Sequence, residues 1–300
     1  MTEDAIIIGG GFAGLSAALQ LARARRRITV LDTGEPRNRF ASHSHGFLAQ
    51  DGRPGRDILA DARRQLAAYE TVTFREASAN RLDGERDAFS VITGDGGQIN
   101  ARRVLLATGF EDQLPTIPGL AERWGKTVLH CPYCHGYEVG GGPVGVLART
   151  PEAARFAAVV ADWGNVTLFT NEVPEPDEEA LAVLAERNVK LRPGRVTAIT
   201  DGLDGMLSVE TGPGIPTFVK ALFVMPEARM RSAIPADRGL KLKETPIGKI
   251  LQTDDTGQTS LPGLYAAGDI ALGAANISLA SANGVKTGVF LHHSLIWPTH

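Results

Sequence analysis

The chain has 300 residues, 43% hydrophobic and 22% charged, an ordinary soluble composition long enough to bury one large or two medium cores. A net charge of −3 gives no basic footprint for nucleic acid, the acidic MTEDAIII start lacks the cationic region of a secretory leader, and no apolar run reaches bilayer-spanning length. Two cysteines exclude a disulfide scaffold and fit a reducing compartment, so a cytoplasmic protein without nucleic-acid or membrane partners is expected.

The first element pair lies in AIIIGGGFAGLSAALQLAR. A β-type run, Ala5 to Ile8, leads into Gly9, Gly11 and Gly14 in G-x-G-x-x-G spacing. A helix-patterned stretch follows, with Leu15, Ala18, Leu19, Leu21 and Ala22 on one face. A second apolar run, Ile28 to Leu31, ends in Asp32. These parts suit a dinucleotide: the first glycine makes a tight turn, the second lets a pyrophosphate meet backbone, and the third lets helix and strand pack closely. The helix N-terminus faces the phosphates, and Asp32 is placed to accept from a ribose hydroxyl. The fingerprint alone does not separate FAD from NAD.

Next comes RRVLLATGF, Arg102 to Phe110, a β-type run ending in Ala-Thr-Gly. Both cysteines follow in HCPYCHGYEVGGG, His130 to Gly142. Three settings compete for the C-x-x-C pair. A glutaredoxin-like site needs a long helix after the motif, and His135-Gly136 with Gly140 to Pro143 are expected to break one. Zinc needs a second ligand pair, and His130 and His135 directly flank the cysteines, too close to complete a tetrahedron easily. The third setting is a flavin-coupled dithiol/disulfide.

The middle segment has its own βαβ pattern: a strand at Pro143 to Ala148, a helix at Pro151 to Trp163 and a strand at Val166 to Phe169. No glycine intervenes between Gly145 and Gly164, so Arg149, Thr150, Pro151 and Glu152 stand where a pyrophosphate needs bare backbone. After the next strand, Glu172, Glu175, Asp177, Glu178 and Glu179 stand where a 2′-phosphate needs arginines. Near the end, TSLPGLYAAGDI presents a β-type run finishing in Gly268-Asp269, suited to a second contact with an extended cofactor such as a ribityl or pyrophosphate group.

The ordered set GGGFAG, LLATG, CPYC and TSLPGLYAAGD resembles the low-molecular-weight thioredoxin reductase family of FAD flavoproteins over essentially the whole chain. The resemblance implies an α/β fold of two Rossmann-like, doubly wound, three-layer domains. An FAD domain at 1–113 and 234–300 would carry an inserted, degenerate NAD(P)H-like domain at 114–233 bearing the cysteine pair. Carried over, Gly9, Gly11, Ala13, Gly14 and Asp32 hold adenosine and pyrophosphate. Ala79 passes the adenine, Thr108 and Gly109 lie near the cofactor, and Gly268 and Asp269 hold its ribityl side. Cys134 faces the flavin and Cys131 the substrate.

Departures from the family pattern add candidates. TGEPRNRFASHSHGFLAQDG replaces the usual Gly-Gln-Leu segment, which makes Arg37 and Asn38 candidates for the adenosine moiety and His45 for the flavin. The Arg-Gln usually beside the flavin falls at Ile277 and Ser278. His135 stands where these reductases usually carry aspartate, and an imidazole there suits thiol proton transfer near neutral pH. Glu138 is a further candidate to orient His135, though a solvent-facing Glu138 fits better. With the weakened second fingerprint, these features resemble the gliotoxin and holomycin dithiol oxidase branch. The expected activity is FAD-dependent oxidation of a small dithiol, with oxygen as acceptor. Reduction of thioredoxin or another disulfide, fed by NADPH at an atypical site or by a donor such as ferredoxin, and a flavin-bound sensor without turnover are the alternatives. A homodimer is expected from the resemblance and from the apolar tail Val285 to Trp297.

Overall fold

The structure, a computed structural model, describes residues 2–212, 214–245, 248–273 and 276–297. The chain forms two compact units. The first comprises Met1–Arg39, Gly55–Asp112 and Ala228–His300, and the second Phe40–Pro54 and Gln113–Glu227. These boundaries differ from the expected ones: residues 40–54 and Gln113 fall in the second unit and residues 228–233 in the first. The contacts of 40–54 give the reason. His45 Nδ1 lies 3.4 Å from Glu138 Oε1, and Gly125 turns at φ +74° directly against Phe40, where a Cβ would lie 2.6 Å from Phe40 Cβ.

In the first unit a seven-stranded sheet has Thr2–Ile8 at its centre. Ile28–Asp32 and then Val72–Glu76 extend it on one side, and Gln98–Leu106 extends it on the other. These pairings are parallel, with Ile6 opposite Thr29 and Val104, and Leu264–Ala266 adds in parallel to Gln98–Leu106. Phe89–Thr93 and Ala79–Asp83 add antiparallel strands. Successive residues of the first strand enter opposite cores. Ala5 and Ile7 pack with Leu15, Leu21 and Leu291, whereas Ile6 and Ile8 pack with Val104, Ile234 and Ile250. A strand buried on both faces needs a continuous apolar run, which is why AIII carries no alternation.

The Phe12–Arg23 helix packs against the long Ile277–Ile296 helix. Gly284 and Gly288 of the long helix face Ala13 and Ala17: a Cβ at Gly284 would lie 2.1 Å from the Ala13 carbonyl oxygen, and one at Gly288 2.8 Å from Ala17 Cα. The long helix is started by Asn276, whose side chain accepts from the N–H groups of Ser278 and Leu279. Its far end is tied by Arg103, only 1% exposed, whose guanidinium donates to Ser294 and to Asp87. A buried guanidinium is tolerated only when paired in this way.

The second unit has five parallel strands in the order Lys190–Arg192, Asn165–Phe169, Pro143–Leu147, Ala221–Val224, Val128–Leu129. An antiparallel sheet of Ala198–Asp201, Leu207–Glu210 and Thr217–Val219 accompanies it. Val144 and Val146 enter one core and Leu147 and Leu222 the other. The expected helix at 151–163 is shorter, Ala153–Val160, because Pro151 and Glu152 lie in a turn that bonds Ala153 N–H to Thr150 and Ala154 N–H to Pro151. Among the described residues no helix is long and apolar enough to cross a membrane.

Gly284→Val is expected to destabilise the fold by about 3 kcal/mol, the upper end of overpacking penalties, since the neighbour that must yield is backbone. Urea unfolding monitored by circular dichroism measures it, and an unchanged midpoint would contradict the close packing of the two helices.

Candidate functional site

In the first unit the glycine turn follows the Thr2–Ile8 strand. Gly9 adopts φ +109°, and a Cβ there would lie 2.3 Å from the Ala107 carbonyl oxygen; one at Gly14 would lie 1.9 Å from the Gly9 oxygen. Gly11 is different: nothing lies within 4 Å of where its Cβ would be. It is the N-cap of the Phe12–Arg23 helix and offers no side-chain cap, so the start of that helix faces open space with bare backbone. This is the form of an anion cradle, and a dinucleotide pyrophosphate fits it.

Asp32, at the end of the adjacent strand, accepts from the Gly10 N–H at 3.0 Å and forms an ion pair with Arg63. The carboxylate therefore braces the glycine turn. Arg63, which sequence reading passed over, also lies over the Phe74 ring, 5.4 Å from its centroid. Its only sequence signal was its place on an amphipathic helix, Gly55–Ala67.

Thr108, Gly109, Gly268 and Asp269 follow the carboxyl ends of parallel strands of the same sheet. Thr108 and Gly109 follow Ala107, whose N–H donates to Ile8 O. Gly109 has φ +62° and an open side. Gly268, at φ +82°, approaches Ala13 so that a Cβ would lie 2.9 Å from Ala13 Cβ, and its N–H donates to Asn283 Oδ1 at 2.8 Å. Asp269 then opens the short Asp269–Leu272 helix. Arg37 is committed to Asp112 and Asp269, both carboxylates. Asn38 follows it, half-buried, in the same 3-10 turn. Ala79 begins the antiparallel strand at Ala79–Asp83, and Ser278 sits in the first turn of the long helix.

In the second unit Cys131 and Cys134 form a disulfide, with Cα atoms 5.3 Å apart. Cys131 is the N-cap of the Pro132–Val139 helix, with Pro132 in its first turn and Gly140 closing it in the left-handed region. The helix runs through His135-Gly136 but stops at Gly140, so it is only 8 residues long and no long helix follows the motif, as expected. Gly136 is there for space, because a Cβ would lie 2.6 Å from the Trp163 ring. Trp163 also meets Tyr133 edge-to-face, with centroids 5.1 Å apart.

Burial pushes the His135 imidazole below its ordinary range; nearby Glu138 opposes this, and His45 adds to it. His45 sits in the second unit, with Nδ1 3.4 Å from Glu138 and 3.6 Å from Asp51. Glu138 is exposed, as expected, and meets His45. Among the described residues no group of three or more His, Cys, Asp or Glu is arranged to hold a metal ion.

The carboxyl ends of the second unit's parallel strands are where a nucleotide sits in such sheets. Here they are tied by the chain's own side chains. Arg149 donates to the carbonyls of Gln113 and Met225, at 3.4 and 3.3 Å. Asn171 donates to Ala148 O and accepts from Val196 N–H. Of the acidic stretch, Asp177 caps the Glu178–Glu186 helix through Ala180 N–H, and Arg155 lies 3.5 Å from both Asp177 and Glu179.

Comparison with known proteins places this geometry. Residues 3–284 match the family model for pyridine nucleotide-disulphide oxidoreductases. A protein of Claviceps purpurea named thioredoxin reductase tcpT is 32% identical, covering 95% of this chain and 92% of its own. Thioredoxin reductase aclD of Aspergillus oryzae is 30% identical, covering 95% of each chain. A solved oxidoreductase structure from Agrobacterium tumefaciens superposes with a TM-score of 0.94 at 42% identity, covering 99% of this chain and all of its own. With its open glycine cradle and its disulfide, the chain belongs to the pyridine nucleotide-disulphide oxidoreductase family, as a thioredoxin reductase-like FAD flavoprotein acting on sulfur groups.

Proposed function

We propose that the protein oxidises a small dithiol to a disulfide through Cys131–Cys134, with the electrons passing to FAD and then to oxygen. The observation that carries this reading is the closure of the second unit's strand ends by Arg149 and Asn171. Where a nicotinamide nucleotide would need bare glycine backbone N–H groups, this chain places the Arg149 and Asn171 side chains, held by their bonds to the carbonyls of Gln113, Met225 and Ala148. The acids from Glu172 to Glu179 disfavour a 2′-phosphate. The names of the Claviceps and Aspergillus relatives support a second reading, reduction of a disulfide such as thioredoxin, which needs a competent electron donor.

The exchange steps balance within the cysteine pair. A substrate thiolate attacks Cys131 Sγ, the Cys131–Cys134 bond breaks, and Cys134 leaves as a thiolate. The second substrate thiol gives its proton to His135 and attacks the substrate sulfur of the mixed disulfide. The substrate disulfide departs, and Cys131 is released as a thiolate. Gly9, Gly11, Ala13, Gly14, Asp32, Thr108, Gly109, Gly268 and Asp269 would hold FAD, which would supply the acceptor for the electron pair that the dithiol then carries. His135 suits the base role because burial keeps its imidazole neutral near pH 7.

Anaerobic addition of dithiothreitol is expected to bleach the flavin absorbance, whereas NADPH at micromolar concentration does not. Fast bleaching by NADPH would establish the reductase reading in its place.

Given the substrate in its disulfide form, Cys134→Ser is expected to trap it as a mixed disulfide on Cys131, the Cys131 thiolate displacing the other substrate sulfur as a thiolate, seen as a mass increment, with turnover lost. A stable adduct on Cys134 in Cys131→Ser, and none in Cys134→Ser, would reverse the assignment of the two cysteines.

His135→Ala is expected to slow dithiol oxidation by about 10²–10⁴. Because burial lowers its pKa, His135 is a neutral base down to a lower pH than free imidazole. The acid limb of the wild-type rate profile should therefore lie below about pH 6.5 and vanish in the variant. An unchanged profile in His135→Ala would remove the histidine from the mechanism.

A further inference from the structure

Arg37 lies in the departure segment after the second strand, within the 3-10 turn Arg37–Phe40. Its side chain is only 16% exposed, and it is enclosed by two acids, Asp112 at 10% and Asp269 at 16%. Nε donates to Asp112 Oδ1 at 3.0 Å, with Nη2 on the same oxygen, and Nη1 donates to Asp269 Oδ2 at 3.1 Å. Each edge of the guanidinium fork is therefore given to a carboxylate. All three residues belong to the first unit, yet they come from its three separate chain segments.

The charge balance makes Asp269 the vulnerable member. Burial pushes its carboxyl up, Arg37 opposes that push by charge and hydrogen bond, and the charge of Asp112 adds to it. Burial would likewise depress Arg37, but its hydrogen bond and charge contact with Asp112 and the charge of Asp269 hold it raised and permanently cationic. Removing Arg37 would leave two enclosed carboxylates facing each other, and one of them would take up a proton.

We propose that Arg37 is a positioning residue for the cofactor: without touching the cofactor, it holds Asp269 as a fixed acceptor at the start of the Asp269–Leu272 helix, against the charge of Asp112. The inference rests on Asp269 being a cofactor ligand. It assigns to Arg37 a role different from the adenosine contact suggested by its place in the sequence. A lysine offers one compact charge in place of the fork and is a poor substitute for spanning two carboxylates.

The test is FAD rebinding to deflavinated protein, followed by quenching of flavin fluorescence from mildly acid to mildly alkaline pH. Arg37→Met is expected to weaken FAD binding about tenfold at mildly acid pH, the value of one lost charge-assisted hydrogen bond. The gap should narrow as pH rises, because Asp269 regains its charge above its displaced pKa. Arg37→Lys should fall between the two. Asp269→Asn should weaken binding equally at every pH. An Arg37→Met protein that binds like wild type throughout, or that loses the same factor at every pH, would overturn the inference; the latter marks a direct contact or a purely structural arginine. Wild-type affinity in Asp269→Asn would instead remove Asp269 from the cofactor site, a failure of the underlying assignment. Should Arg37→Met not fold, Asp112→Asn decides. It leaves Arg37 to Asp269 alone and should bind FAD at least as tightly as wild type, whereas a tenfold loss would overturn the inference.

Discussion

The Ala107 carbonyl passes so close to Gly9 that a side chain there would lie 2.3 Å from its oxygen, and the same crowding recurs at Gly14 against Gly9 and at Gly284 against Ala13. These backbone-on-backbone contacts fix the height of the Phe12–Arg23 helix over the sheet. The favourable field of a helix N-terminus fades within its first turn, so a shift of an ångström or two at these contacts would take the helix start away from its anion. The long C-terminal helix takes part in this through its two glycines, and its own end is held by the buried Arg103. Cofactor geometry and global stability thus share the same few contacts.

The local parts of this arrangement were legible in the sequence. The glycine spacing, the apolar run before it, Asp32 after the next strand and the C-x-x-C pair all lie where their patterns put them, because each depends on neighbours a few residues away. The pairings across the fold were not legible. Arg37 reaches Asp112 and Asp269, Arg63 reaches Asp32, and His45 reaches Glu138, and no periodicity records which charged side chains topology brings together. Gly136 misled for a related reason: read locally it breaks a helix, yet inside one it makes room for Trp163. The placement of residues 40–54 with the second unit has the same origin, a tertiary contact without a local signature.

In the second unit the carboxyl ends of the parallel strands are bonded by side chains of the chain itself. The carbonyls there still need donors, and an unsatisfied buried acceptor costs about 1–3 kcal/mol. Arg149 and Asn171 supply those donors from within the chain, while Asp177 and Arg155 organise the acidic stretch as the start of a helix. These bonds sit at the ends of five strands in parallel order.

Cys131 occupies the N-cap of its helix, with extended backbone at φ −109° and ψ 114° and a proline immediately after it. In the disulfide its sulfur is neutral and gains nothing from the helix. Once the bond opens and a thiolate forms, the sulfur sits at the positive end of that helix, which is worth about 0.3–1 kcal/mol. Because only the reduced pair collects this term, the midpoint potential of the couple rises by about 6–20 mV. The position that begins the helix therefore tunes the disulfide as an oxidant and tilts the exchange equilibrium toward accepting electrons from a dithiol.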